Sequence, residues 1–216
     1  MTMYTKKIPL SIQLRSGAKL GRDQKIPAFF AIDCEMVTCT TDSEPKRFVN
    51  LTGEVTIIDS YGKIVLHTYA KPHLPIVSYN TLYSGITPKH LNDAPPLHVV
   101  SEWVKQITEN NYLVGFAVHN DLLALRMHHP RVLTIDVQKH PYIRHVLATS
   151  SPSLKRTVKC LLNHDIQNGA HSSLEDAKAT MDVFKWLMKV FPSNNYHMCP
   201  LQCVRDHPST LWTPPQ

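Results

Sequence analysis

The sequence predicts an α/β layer fold, a mixed five-stranded sheet flanked by helices. Two observations carry that prediction. Apolar, β-rich runs at 28–37, 54–59 and 63–69 come first with no helical spacing between them, and Ser60, Tyr61 and Gly62 supply turn chemistry between the last two. Strand-length runs at 112–118 and 131–137 then alternate with helical spacings, the pattern of parallel strands joined by crossovers. The sheet is therefore expected to be antiparallel through the hairpin and parallel afterwards.

Ala28 to Ile32 is apolar and Val37 closes the run, which reads as a buried strand. Thr38 to Asn50 is polar and reads as a loop. Pro72 and Pro75 enforce an extended stretch through Ser78, and Ser84 to Pro88 is a turn with Pro88 suited to a first helical position. Apolar residues at 97, 100, 103, 104 and 107 predict a helix within Pro95–Glu109. Further helices are expected at Leu122–Met127, at Ser153–Asn163 and from Ser172 to Val190. Ser172 and Glu175 form the S-x-x-E pattern that starts the last one. The organisation expected is a basic arm at 1–26, one domain at 27–191 and a Pro-containing tail at 192–216.

Composition narrows the class. A chain of 216 residues with 43% hydrophobic and 19% charged residues fits one soluble domain with a real core. No run reaches the length of a membrane span, so no membrane partner is expected. No secretory signal pattern opens the chain, and five cysteines are an odd number, which fits a reducing compartment. An intracellular site, nucleus or cytoplasm, is the expectation. The net charge of +6 is compatible with a polyanionic partner. In the arm, Lys6, Lys7, Arg15, Lys19, Arg22 and Lys25 face only Asp23, which suits a nucleic-acid arm, a targeting segment or a disordered end. In the tail, His197, Cys199, Cys203 and His207 have the residue types of a zinc site but no common spacing.

The chemistry gathers around Asp33 and Glu35. Residues two apart in a strand share a face, so both carboxylates point one way and Cys34 the other. Paired acids raise each other's pKa unless a cation lies between them, and Mg²⁺ or Mn²⁺ suits oxygen donors. Asp121 falls where a strand gives way to a helix, as either a helix cap or a ligand. Asp176 falls in the first turn of the last helix, with His171 in the loop ahead of it, as either a capped helix start with a solvated imidazole or part of a site. Taken together, four acids carry a charge that two divalent ions would balance, and such a pair clamps the oxygens of a phosphoryl displacement. His171 then suits the general base. Asp136, in a strand, is a candidate supporting residue.

The ordered set Asp33-x-Glu35, Asp121 and His171-x-x-x-x-Asp176 resembles the DEDD 3′→5′ exonucleases of the His subtype. Ile32 to Val37, Ser84 to Pro88, Ser153 to Lys155 and Ile166 to Met181 resemble the eukaryotic RNA exonuclease branch of that superfamily. The resemblance covers about residues 28–190. It implies a ribonuclease H-like fold, two Mg²⁺ or Mn²⁺ ions held by Asp33, Glu35, Asp121 and Asp176, and His171 as base. It implies a single-stranded RNA or DNA 3′ end as partner, met by Met36; RNA is expected to be preferred, Val37 and Asn80 are expected as further substrate contacts, and a monomer is expected. The chain departs from the family at Asn80 and Leu82, where arginines are usual, and at Phe116, where His usually follows Gly. A DNA-preferring exonuclease and an idle binding module are the alternatives.

Overall fold

The computed structural model describes residues 28–41 and 44–191, with the backbone of 19–20 and 24–25. The rest of the basic arm and the whole tail, with its cysteines and histidines, lie outside the described residues. Two short strands, β1 (Lys19–Leu20) and β2 (Gln24–Lys25), pair antiparallel. The main sheet is built on β3 (Phe29–Thr40), which runs antiparallel to β4 (Phe48–Asp59) from Phe30↔Asp59 to Thr40↔Phe48. β5 (Ile64–Tyr69) completes the hairpin beside β4. On the other side β3 pairs parallel with β7 (Tyr112–Gly115), and β7 with β8 (Thr134–Asp136). The antiparallel-then-parallel sheet is thus present, in the order β5-β4-β3-β7-β8.

The sheet has six strands rather than five. The sixth, β6 (Ile76–Ser78), lies in the Pro-directed extended stretch and pairs with the far end of β3, Thr38↔Ser78. Its partnership explains a second difference: the polar stretch read as a loop from Thr38 is strand as far as Thr40, and β4 already begins at Phe48. Backbone pairing on both edges carries the strand through these polar residues, with Val37 and Cys39 buried in the core beside them. β7 and β8 are shorter than the apolar runs that predict them, because the chain bends at Gly115 and because 3-10 turns at Arg131–Leu133 and Val137–Lys139 flank β8.

Helices cover both faces. Ahead of α3 come two short helices, α1 (Thr81–Ser84) and α2 (Pro88–Asn92), the latter with Pro88 at its first position as expected. α3 (Leu97–Thr108) buries Leu97, Val100, Val104 and Ile107 against Ile32, Val37, Leu51 and Ile57. α4 (His119–Ala124), α5 (Pro141–Val146) and α6 (Leu154–Leu162) lead to α7 (Ser173–Val190). α7 buries Ala177, Met181, Phe184 and Leu187 against Ala31, Ile58 and Val114 on the opposite face. Full burial of one such large side chain contributes about 1.5–3 kcal/mol, so α7 is held mainly by this stripe. No described helix is long and apolar enough to cross a membrane.

Candidate active site

Asp33 and Glu35 share the sheet face toward α7, while Cys34 packs into the α3-side core. β7 accompanies β3 only from Phe29↔Tyr112 to Ala31↔Val114, which leaves the Cys34 amide on that edge without a strand partner. A buried N–H requires an acceptor, and Asp121 Oδ1 takes it at 3.0 Å. Asp121 is 4% exposed and sits in the first turn of α4, where Val118 occupies the cap position. The cap alternative for Asp121 therefore fails, and its carboxylate is committed to β3.

The bend that delivers Asp121 has local causes. A Cβ on Gly115 would lie 2.5 Å from Val118 Cβ, so only glycine fits there. Ala117 follows with φ 57°, and its amide donates to Asp136 Oδ1 at 2.9 Å. Asp136, whose Oδ2 lies 2.9 Å from Lys139 Nζ, thus holds the turn before α4 instead of touching the acid cluster.

At the start of α7, Ser172 Oγ accepts from Glu175 N at 3.5 Å, half of the expected capping box. Glu175 turns its own carboxylate to Gln167 N instead, at 2.9 Å. Asp176 follows in the first turn, 4% exposed. Gln167 Nε2 donates to its Oδ2 at 2.7 Å, and His171 Nδ1 stands 3.7 Å from the same oxygen. His171 itself is pinned by its amide, which donates to Tyr83 O at 2.6 Å. Glu35, His171 and Asp176 each present one ligand atom within 4.8 Å of the others. Asp176 Oδ1 is buried and has no hydrogen-bond partner.

Asp33 and Asp121 are not among these three, but the charges of the four acids act on one another. Burial first, then Asp121, Asp176, Glu35 and Glu54, holds Asp33 well above the usual carboxylate range. Burial, then Asp176, Glu54 and Asp121, pushes Glu35 up to about 8. Burial takes Asp121 to about 8 as well, against the lowering effect of the Cys34 amide. Asp176 is raised by burial, against Gln167 and His171. Acids crowded so that none ionises easily form a pocket whose counter-charge comes from outside. Carboxylate oxygens with one imidazole, and an orphaned buried oxygen among them, fit a hard divalent cation.

Two residues of this neighbourhood escape the sequence reading. Gln167 is one: it stands in the Ile166–Met181 stretch that carries the family resemblance, but no role was assigned to it there. Glu54 is the other: it pairs with Glu35 across the hairpin and is 8% exposed.

The expected substrate contacts divide. Met36, half-buried and next in sequence to Glu35, lines a cavity of about 510 Å³ with Val49, Asn50, Asn120, Leu123 and Arg126. Val37 is a correction: it is fully buried in the α3-side core and does not face that cavity. Asn80, half-buried, has its side-chain amide engaged within the protein. Nδ2 donates to Met36 O at 3.3 Å and Thr38 Oγ1 at 3.1 Å, and Oδ1 accepts from Ser78 Oγ at 2.8 Å.

RNA exonuclease 4 of Candida albicans is 38% identical over 177 residues, covering 82% of this chain and 59% of that protein. The Homo sapiens RNA exonuclease 4 is 34% identical over 177 residues, covering 82% of this chain and 41% of that one. The chain thus spans less than two thirds of the length of these relatives. The Saccharomyces cerevisiae Pan2 pseudoubiquitin hydrolase–RNA exonuclease module, solved with RNA, matches with a TM-score of 0.65 at 25% identity, over 94% of this chain and 36% of that one. The fold is the ribonuclease H-like one of such exonucleases. A family model described as Exonuclease (RNase_T) matches residues 30–184, from the strand that bears Asp33 and Glu35 to the helix that bears Asp176. By that match the chain belongs to the exonuclease family.

Proposed function

We propose that this chain is a divalent-metal-dependent 3′→5′ exonuclease that removes nucleotides from the 3′ end of single-stranded RNA. The observation that carries the reading is the convergence of Glu35, His171 and Asp176 within 4.8 Å around an unpartnered buried oxygen. Membership of the exonuclease family and relatives named RNA exonuclease support the activity and the choice of RNA.

Asp33, Glu35, Asp121 and Asp176 would hold two Mg²⁺ or Mn²⁺ ions, whose charge balances theirs. Bound there, the ions supply charge stabilisation for the attacking and leaving oxygens. His171 stands half-exposed at the mouth of the pocket with Nδ1 toward Asp176, which leaves Nε2 to take the proton of the attacking water. Asp121, tied to the Cys34 amide, keeps the α4 side of the pocket in register with β3. The cavity lined by Met36 and Leu123 accepts the terminal nucleotide against apolar walls.

The test is digestion of matched RNA and DNA strands, each labelled at either end, with Mg²⁺, Mn²⁺ or EDTA. Stepwise mononucleotide release from the 3′ end, lost in EDTA and in Asp33→Ala and Asp176→Ala, is expected. His171→Ala should lose roughly a hundredfold or more in rate while still binding Mn²⁺. Internal cleavage, or activity unchanged by Asp176→Ala, would reject the assignment, and faster DNA digestion would reject the RNA preference.

A further inference from the structure

The pocket contains an acid to which the reading above gives no part. Glu54 lies on β4 directly across from Glu35, and both are 8% exposed. Directly opposed residues of an antiparallel pair project to one face with Cβ atoms about 5 Å apart, and like charges so placed destabilise the sheet. Among the described residues the ion-pair partner of Glu54 is His67, whose Nε2 stands 3.6 Å from Glu54 Oε1.

That imidazole is itself fixed. His67 Nδ1 and Thr56 Oγ1 are 2.8 Å apart, and Thr56 Oγ1 is 2.7 Å from Ser173 Oγ in the first turn of α7. Thr56 and Ser173 are fully buried. A line of polar side chains, His67, Thr56 and Ser173, thus runs from beside Glu54 to a point three residues before Asp176, whose Oδ1 is the buried oxygen without a partner. Two observations converge, a buried fifth acid directly across from Glu35 and a buried acceptor of Asp176 with no partner in the protein.

We propose that Glu54 is a fifth carboxylate of the cation pocket, raising its affinity for divalent ions. The proposal rests on the reading of this pocket as a metal site. It gives the acid a use that a neutral residue could not serve. Five carboxylates exceed the charge of two divalent ions by one, and His67 stands beside that surplus.

The experiment is calorimetric titration of Mn²⁺ into the full chain, with thermal melting of the same samples before and after Mn²⁺ is added. Glu54→Gln keeps the shape and an acceptor for His67 but removes the charge. It is expected to raise the melting temperature of the metal-free protein, to weaken Mn²⁺ binding roughly tenfold or more, and to shrink the rise in melting temperature that Mn²⁺ produces. Glu54→Asp, which keeps the charge, should retain Mn²⁺ affinity better than Glu54→Gln. If Glu54 and His67 form only a structural pair, Glu54→Gln will melt lower without metal and bind Mn²⁺ within about twofold of wild type; that result overturns the proposal. Wild-type protein that takes up no Mn²⁺ would overturn the metal reading itself, a different result from equal uptake by wild type and variant.

Discussion

Gln167 shows how far the acids depend on neutral neighbours. Its Nε2 reaches Asp176 Oδ2 at 2.7 Å, and its backbone is held by Glu175 and by Lys155 Nζ, which donates to Gln167 O at 2.8 Å. Gln167→Ala leaves a buried carboxylate with one donor fewer. The expected cost is about 1–3 kcal/mol in urea unfolding, with Mn²⁺ affinity reduced about tenfold because the ligand is no longer oriented. Unchanged Mn²⁺ affinity would show that the helix alone orients Asp176. At this scale the sequence was readable where geometry is local. Asp33 and Glu35 share a face by strand alternation, and His171 and Asp176 are brought near each other by a helix start that Ser172 announces. Glu54 was not readable, since its place beside Glu35 follows from the register of two strands across the 41–47 connection. Val37 was readable as part of a buried strand but not as sealed off from the cavity, and the internal use of Asn80 was not readable, since it depends on what lies beside the far half of β3.

Among the elements, the bend between β7 and α4 carries the most. Gly115 leaves room for Val118, and the turn then places Asp121 against the edge that β7 has vacated. Gly115→Ala forces a Cβ into Val118, with no open space to take it. A loss of about 1–3 kcal/mol is expected in denaturant melts, and weaker Mn²⁺ binding should accompany it as Asp121 is carried away from β3. A stable variant with unchanged Mn²⁺ binding would mean that the bend adapts. The strands and long helices were legible because periodicity reports burial, as the α3 and α7 stripes show. α5 was missed because its start is capped by an imidazole: His140 Nδ1 accepts from Tyr142 N at 3.3 Å, with Pro141 next in line. β6 was missed because Pro72 and Pro75 signal extension without saying which strand it meets.

For the whole molecule, the crowded pocket couples stability to pH. Glu35 rises from 4.5 to about 8 and Asp121 from 3.8 to about 8 on folding, burial being the larger cause in each. Both groups hold their protons more tightly folded than unfolded. Their favourable contribution is complete below the unfolded values and is lost as pH climbs through about 8. Metal-free protein should therefore melt progressively lower between about pH 5 and pH 8. Saturating Mn²⁺ should oppose that fall, because deprotonated carboxylates are the form that binds. Differential scanning calorimetry in EDTA and in Mn²⁺ checks both slopes, and a metal-free melting temperature that rises over this range would count against a pocket of reluctant acids. The net charge of +6 has a matching consequence: with four acids sequestered, the remaining surface carries about +10, a field that draws phosphates toward an acidic centre.

The cysteine interleaved between Asp33 and Glu35 bears on which ions enter. Its sulfur lies on the α3 side of the sheet, and burial, followed by Asp121 and Asp33, holds the thiol well above its usual pKa. A thiolate at this position would invite soft borderline metals such as zinc. Turned away and kept protonated, Cys34 leaves visitors to the cluster a lining of oxygens and one imidazole, so the alternation of a single strand also acts as a filter for hard ions.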